Sequence, residues 1–220
     1  DESLLPTLHA SLQRYADKLP LAWEIAGGDF VETAVNRIQF EQDGFTHAIL
    51  NPPYKKIGSG SRHRLLLRKA GIETVNLYSA FIALSMLLMA PGGQIVAIIP
   101  RSFCNGPYYR PFRDFVMKHA AIRHMHLFES RSQAFKDDDV LQENIIIRLE
   151  RGGQQGPVRI TTSTDDTFVD LDGHEHPFDR IVFPDDPERF IHVPTTTEKS
   201  AIELSPAVRY SLADIGVKVS

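Results

Sequence analysis

The stretch Phe45-Thr46-His47-Ala48-Ile49-Leu50-Asn51-Pro52-Pro53-Tyr54 is the most informative part of this chain. Its first half is a short apolar run, which predicts a strand over residues 46–50. Its second half predicts a rigid turn, because proline fixes φ, lacks an N–H donor and biases the residue before it away from helix. In α/β sheets ligands bind at the carboxyl ends of strands. The stretch therefore predicts a strand that ends in a binding or catalytic turn.

The turn carries the groups needed to act on a planar amino or amide nitrogen. Such a nitrogen is a poor nucleophile until acceptors draw out its N–H groups. Asn51 offers a side-chain oxygen and Pro52 a backbone carbonyl, and preorganised dipoles of this kind act as electrostatic catalysts. Tyr54 adds a flat face on which a planar target can stack. The alternative is a strand that ends in a proline-rich turn for local reasons alone.

Strand and helix patterns alternate along the rest of the chain. Helices are predicted over residues 7–19, 76–90 and 112–119, and further strands over 23–26, 94–99, 122–128, 144–150 and 158–162. This alternation predicts an α/β fold, a wound and mostly parallel sheet with helices on both faces. Residues 1–152 are expected to form the catalytic domain. Residues 153–220, richer in Thr, Asp and Pro, are expected to form an appendage or linker.

Composition narrows the class of protein. With 220 residues, 42% of them hydrophobic, the chain can bury a core. A single cysteine, Cys104, excludes an internal disulfide and suits the reducing cytoplasm. No apolar run approaches the length of a membrane span, so no membrane partner is expected. The net charge of −4 means that any contact with nucleic acid must be local.

One segment directly after the turn is locally basic. Between Lys55 and Lys69 it contains no acid and surrounds Gly58-Ser59-Gly60. Its basic residues are Lys55, Lys56, Arg62, His63, Arg64, Arg68 and Lys69. They could neutralise phosphates of a nucleic acid beside the turn. A solvated, flexible loop is the alternative.

Three short motifs carry a resemblance to a known family. They are Gly28-Asp29-Phe30, Asn51-Pro52-Pro53-Tyr54 and Asn76-Leu77-Tyr78-Ser79-Ala80-Phe81. In this order they resemble the catalytic domain of DNA adenine-N6 methyltransferases of the gamma class, and most of all the Eco57I-type restriction-modification methylases. The resemblance runs from about residue 28 to residue 150. It implies a Rossmann-like, S-adenosylmethionine-dependent methyltransferase fold.

The resemblance also implies roles for single residues. Asn51, Pro52, Pro53 and Tyr54 would be catalytic, and Tyr54 would stack on a target adenine extruded from double-stranded DNA. Phe135 would contact that base from its other face. The residues implied for binding of S-adenosylmethionine are Asp29, Phe30, Asn51 and Phe81. Asp29 would accept from the cofactor's adenine amino group, and Phe81 would pack on its ring.

Alternatives remain for two of these residues. Asp29 could simply cap a turn or helix. Phe81 lies on an apolar helical stripe and could be a core residue. His174-Glu175-His176 is read as a polar loop and not as a metal site, because two histidines without further ligands are weak evidence for a metal. No metal is required for methyl transfer in this scheme.

The chain also departs from the family pattern. No glycine-rich first motif precedes Asp29, so we expect an N-terminally incomplete fragment with weak or no activity alone. Residues 211–220 resemble the entrance to a target-recognition domain. The expected function is adenine-N6 methylation of DNA in a restriction-modification system, with a fused or cognate restriction endonuclease as a candidate partner. The alternatives are an RNA or protein-glutamine N-methyltransferase and a non-catalytic DNA-binding subunit.

Overall fold

The computed structural model describes residues 2–40, 44–129, 143–197 and Gly216. Within them, one sheet is formed by β1 (Phe45–Leu50), β2 (Met89–Pro100), β3 (Ala120–Phe128), β4 (Asn144–Arg151), β5 (Val158–Ser163) and β6 (Asp172–His176). The helices are α1 (Leu5–Ala16), α2 (Phe30–Gln39), α3 (Arg62–Lys69), α4 (Leu77–Leu88), α5 (Arg110–His119) and α6 (Phe178–Ile181). The predicted α/β class is confirmed.

The sheet is mixed, whereas a mostly parallel one was expected. Its strand order is β1-β2-β4-β3-β5-β6. The β1–β2 and β3–β5 pairs are parallel, and the other three pairs are antiparallel. A buried apolar strand has the same sequence pattern whether it is parallel or antiparallel to its neighbours. The pattern therefore did not reveal that β4 is antiparallel to β2 and β3. The carboxyl ends of β1, β2, β3 and β5 meet at one edge of the sheet, called here the carboxyl edge.

In the described part of the chain, the core lies between the sheet and one layer of helices, whereas helices on both faces were expected. Helix α4 contacts β1 and β2, α5 contacts β3, and α2 and α5 each pack against α4. In β2, Ile95, Ala97 and Ile99 face this layer and are buried. Burying such side chains is the main driving force for folding, at about 1.5–3 kcal/mol for each large one. On the other face of β1, Ile49 is 88% exposed.

Two local predictions for the first hundred residues were wrong. Residues 23–26 form no strand, because Trp23 packs edge-on against His9 of α1, with ring centroids 4.8 Å apart, and pairs with no strand. Residues 89–93 belong to β2, not to a helix end and turn. The register between β1 and β2 shifts there, and Gly92 has a φ of +79°, which favours glycine. The predicted turn is therefore an irregularity inside a longer strand.

Residues beyond 152 contribute to the same sheet. β5 pairs with β3, and β6 pairs with β5, with His174 opposite Ile160. His174-Glu175-His176 is therefore strand and not the predicted loop. Of residues 211–220, only Gly216 lies within the described part of the chain. No described helix has the length and hydropathy needed to cross a membrane.

Candidate active site

The turn Asn51–Tyr54 follows β1 directly and is held against β2. The Tyr54 hydroxyl lies 3.4 Å from Asn51 Oδ1 and 3.3 Å from the backbone oxygen of Ile98. Pro52 is buried, while Asn51 is exposed and Tyr54 is half-buried. The side-chain oxygen of Asn51 is thus presented beside the Tyr54 ring at the carboxyl edge of the sheet.

Backbone hydrogen bonds bring the start of α4 against this turn. Leu77 N donates to Lys55 O, and Ile57 N donates to Val75 O, each at 2.8 Å. Tyr78, only 2% exposed, packs edge-on against Tyr54, with ring centroids 6.2 Å apart. Burial raises the pKa of the Tyr78 phenol, so it stays neutral. The Asn-Leu-Tyr motif therefore supports the ring of Tyr54.

Asp29 is the N-cap of α2 and also contacts α3. Its Oδ1 accepts from Glu32 N at 3.1 Å, and its Oδ2 lies 2.9 Å from His63 Nε2. Burial raises the pKa of Asp29, but the hydrogen bonds from Glu32 and His63 outweigh it and hold the pKa below its ordinary value. The capping alternative is confirmed. The side chain is nevertheless 41% exposed, so its carboxylate remains accessible to a ligand.

Phe30 and Phe81 form an aromatic pair next to Asp29. Their ring centroids are 4.6 Å apart, and both rings are half-buried against the core. Phe81 is thus partly a core residue, as one alternative had it. An ionised carboxylate beside two partly exposed rings suits a planar group that carries an amino donor. These residues fit the adenine portion of S-adenosylmethionine.

The basic segment is largely structured. Residues 62–69 form α3, so the flexible-loop alternative is wrong for that part. The guanidinium of Arg64 is buried and bonds to Thr74 O and the Glu73 carboxylate. Arg68 pairs with Glu73 at 3.1 Å, and Arg62 with Glu32 at 2.9 Å. Arg64 therefore ties α3 to the loop before α4 and is withdrawn from solvent.

The other basic residues of this segment stay at the surface. Lys55, Lys56 and Lys69 are exposed, and the side chain of Arg62 is 76% exposed. His63 is turned toward Asp29. The positive charge that remains available lies close to the catalytic turn and on the outer side of α3. Phe135, predicted to contact the target base, lies outside the described residues.

Sequence reasoning missed Arg113 and Tyr109. Arg113 is completely buried and donates to the backbone oxygens of Phe103, Gly106 and Glu188. Tyr109 OH bonds to the side chain of Asn76, the first residue of the Asn-Leu-Tyr motif. Neither residue stands in a recognisable motif, because their partners are distant in sequence.

No cluster of three or more metal-ligating side chains of the His, Cys, Asp or Glu type occurs in the described ranges. His174 and His176 have ring centroids 6.5 Å apart, and His176 is buried. Burial lowers the pKa of His176, with nearby Arg180 and His174 acting in the same direction. Cys104 is also buried, and burial raises the pKa of its thiol to about 12.

Solved structures with a similar fold are restriction-modification proteins. The type IIG restriction endonuclease BpuSI superposes with a TM-score of 0.53 at 14% identity, over 70% of this chain and 21% of that one. A modification subunit of a putative type I restriction enzyme from Vibrio vulnificus gives a TM-score of 0.53 at 12% identity, over 76% of this chain and 41% of that one. These likenesses support the fold alone.

The chain belongs to the Eco57I restriction-modification methylase family, whose model matches residues 13–135. It is 53% identical to the type II methyltransferase M.BsuBI of Bacillus subtilis, over all of this chain and 45% of that protein. It is 42% identical to the type II methyltransferase M.PstI of Providencia stuartii, over 90% of this chain and 40% of that protein. The chain thus spans less than half the length of these curated relatives.

Proposed function

We propose that this chain supplies the catalytic part of a DNA adenine-N6 methyltransferase of a restriction-modification system. The observation that carries the proposal is the placement of Asn51 Oδ1 beside the Tyr54 ring at the carboxyl edge, with Asp29, Phe30 and Phe81 grouped at the adjoining ends of α2 and α4. An acceptor for an amino group and a stacking face are the two elements that a planar amine substrate needs. The type II methyltransferase relatives favour DNA as that substrate.

Each residue of the turn has a distinct task. Asn51 Oδ1 and the Pro52 carbonyl accept from the amino group of the target, which localises electron density on the nitrogen. Pro53 keeps the turn rigid. Tyr54 stacks on the base after it has left the duplex. Extrusion of the base costs roughly a few kcal/mol, and this stacking offsets part of that cost. Phe135 is proposed to contact the base from the opposite face.

S-adenosylmethionine is the proposed methyl donor, and it supplies an electrophilic methyl group bound to a sulfonium. Asp29 would accept from its adenine amino group, while Phe30 and Phe81 flank the ring. Asn51 is proposed to contact the cofactor as well as the target base. Close approach of the two reacting groups supplies much of the acceleration.

Lys55, Lys56, Arg62, Arg68 and Lys69 are proposed to contact the DNA backbone. Arg64 is left out of this set, because its guanidinium is buried and bonded within the protein. A fused or cognate restriction endonuclease is the proposed functional partner. The catalytic domain is proposed to extend past residue 152, because β5 and β6 belong to the same sheet as β1–β4.

The experiment uses the full-length protein, unmethylated duplex DNA and labelled S-adenosylmethionine. N6-methyladenine is expected in the DNA, and Asn51→Ala is expected to abolish it. Asn36→Ala, an exposed asparagine of α2, is the matched control and is expected to retain activity. Label recovered only on RNA or on glutamine side chains would support the alternative substrates. Full protection of DNA by the Asn51→Ala variant would support a non-catalytic binding role.

A further inference from the structure

Two neighbouring cavities lie beyond the catalytic turn, next to residues 101–105, which follow the carboxyl end of β2. The first, called the turn-side cavity, has a volume of about 390 Å³ and is lined by Pro100, Arg101, Ser102, Asn105 and Glu143. The second, called the junction cavity, has a volume of about 410 Å³ and lies between residues 101–105 and residues 180–194. The two cavities share Arg101 and Asn105. They therefore form one path along the surface.

The path begins beside the proposed catalytic residues. Tyr54 OH lies 3.3 Å from Ile98 O, two residues before the end of β2. Ser102 Oγ lies 3.5 Å from the hydroxyl of Tyr78, which packs against Tyr54. The turn-side cavity therefore lies next to residues that support Tyr54.

The junction cavity has the chemistry of an anion site. Arg101, Arg180, Asn105 and His192 line it, and none of its described lining residues is acidic. Arg180 Nη1 donates to Thr197 O at 2.9 Å and lies 3.4 Å from His176 Nδ1, so its guanidinium is fixed in place. Guanidinium groups suit phosphate, because they present several donors in one plane. Arg101 pairs with Glu143 at 3.0 Å, and Arg180 brings a second guanidinium to the cavity.

A flat aromatic surface lies in the same cavity. Phe183 and His192 are stacked, with ring centroids 4.2 Å apart and an interplanar angle of 25°. Phe183 is 44% exposed. Positive charge combined with an exposed aromatic face is the arrangement by which proteins bind a nucleic acid strand without reading its sequence.

The cavity is held in shape by backbone contacts between its two walls. Ile191 N donates to Cys104 O at 2.9 Å, and His192 N donates to Ile181 O at 2.7 Å. Arg113 binds Glu188 O and the backbone oxygens of Phe103 and Gly106. The site therefore needs no rearrangement of its walls before it can receive a ligand.

We propose that the junction cavity binds a phosphodiester group of the DNA strand that carries the target adenine, a few nucleotides from that base. Arg180 contacts the phosphate, and the Phe183–His192 pair supports the neighbouring base or sugar. Residues 180–194, part of the predicted appendage, thus belong to the substrate path. The proposal rests on the proposed function, because it takes DNA as the substrate.

The test measures duplex binding by the full-length protein as a function of salt concentration. Arg180→Gln is expected to lower the magnitude of the slope of log K against log[salt] by about 0.9, the amount for one lost phosphate contact. Arg180→Lys keeps the charge and is expected to retain the slope. The matched control is Arg159→Gln, because Arg159 is exposed and, standing between the buried Val158 and Ile160, lies on the other face of β5. It is also expected to retain the slope.

A second variant tests the aromatic face independently of Arg180. His192→Ala is expected to weaken binding by about fivefold or more at constant slope, the range for one lost stacking contact. Unchanged binding in both Arg180→Gln and His192→Ala would overturn the proposal, as would an equal slope change in Arg159→Gln. If Arg180→Gln fails to fold, unchanged binding by His192→Ala alone would overturn it.

Failure of the proposed function gives a different result. The expected Arg180 effect without any N6-methyladenine would support the cavity and overturn the proposed chemistry. Absence of all DNA binding would overturn both.

Discussion

Arg113 donates from Nε and Nη2 to the backbone oxygen of Glu188, at 3.0 and 2.8 Å, across 75 residues of sequence. Its Nη1 binds Phe103 O and Gly106 O at 2.9 and 2.8 Å. The side chain is fully buried, and Phe190 covers the guanidinium at 4.9 Å. One cation thus joins α5, the loop after β2 and the segment that forms the far wall of the junction cavity.

Replacing Arg113 with Met should therefore destabilise the protein. The substitution removes the donors that Arg113 gives to three backbone oxygens, and disruption of such a buried charged network costs about 3 kcal/mol or more. Urea denaturation of the purified protein measures this free energy of unfolding. Arg110→Gln is the control, because Arg110 is 48% exposed and its surface ion pairs should contribute less than about 1 kcal/mol. Equal stability of Arg113→Met and wild type would contradict the structural role.

Asp29→Ala should weaken binding of S-adenosylmethionine. The proposed contact is a hydrogen bond to an ionised acceptor, and its loss is worth about 1.5–3 kcal/mol, or tenfold to over a hundredfold in affinity. Calorimetric titration of the full-length protein measures the change. Asp17→Ala, at the end of α1, is the control and should bind normally. Undiminished affinity in Asp29→Ala would restrict Asp29 to its capping role.

His63→Ala should have a smaller effect on the same titration than Asp29→Ala. His63 contacts Asp29 Oδ2, whereas Oδ1 stays fixed by Glu32 N, so the carboxylate keeps its place and its charge. A loss of affinity as large as that of Asp29→Ala would show that His63 itself contacts the cofactor.

Substitutions of Tyr54 should separate its ring from its hydroxyl. Tyr54→Phe keeps the stacking face and removes the contacts to Asn51 and Ile98, so a loss of about 1.5 kcal/mol or less is expected. Tyr54→Ala also removes stacking, which adds about 1–3 kcal/mol. Both losses are measured by binding to duplex DNA that carries 2-aminopurine at the target position, because the fluorescence of 2-aminopurine reports extrusion of the base. Equal losses would assign the role of Tyr54 to its hydroxyl.

Stability should fall as the pH drops below the ordinary histidine pKa of 6.5. Burial lowers the pKa of His126, which lies between Thr161 and Ser163, and burial also lowers the pKa of His124. Below pH 6.5 the unfolded chain therefore binds more protons than the folded protein. The contribution of the neutral imidazoles to the free energy of unfolding is complete above pH 6.5 and decreases below it. Urea denaturation between about pH 5 and pH 8 measures the slope.

His126→Gln should make this dependence shallower, because one of the buried imidazoles no longer titrates. His9→Gln is the control, since His9 is exposed on α1. An identical slope in His126→Gln and wild type would remove His126 as a source of the pH dependence.

Local patterns predicted the elements around the turn well. At the ends nearest the site, β1 ends at residue 50 as predicted, and α4 begins at residue 77, one residue later than predicted. Proline chemistry, apolar periodicity and the short motifs act over a few residues, so a single sequence is sufficient to read them. The same reasoning failed for residues 23–26. Strand formation there requires a neighbouring strand, and Trp23 packs on His9 instead.

Side-chain availability could not be read in the same way. Arg64 and Lys56 are both basic residues of one segment, yet Arg64 is buried against Glu73 and Thr74, while Lys56 is exposed. Arg64 lies on the side of α3 that faces the loop before α4, whereas Lys56 precedes the helix and stays at the surface. The pairing of Asp29 with His63 likewise joins two helices whose separation the sequence does not reveal.

The sequence by itself determined the α/β class, the rigid turn after β1 and the chemical groups that this turn offers, because these follow from residue type and local spacing. Only the tertiary structure decided the direction of β4, the burial of Arg64 and Arg113, and the meeting of residues 101–105 with residues 180–194. The physical reason is that these features depend on contacts between segments far apart in the chain. Their energies come from packing and desolvation, which no local pattern records.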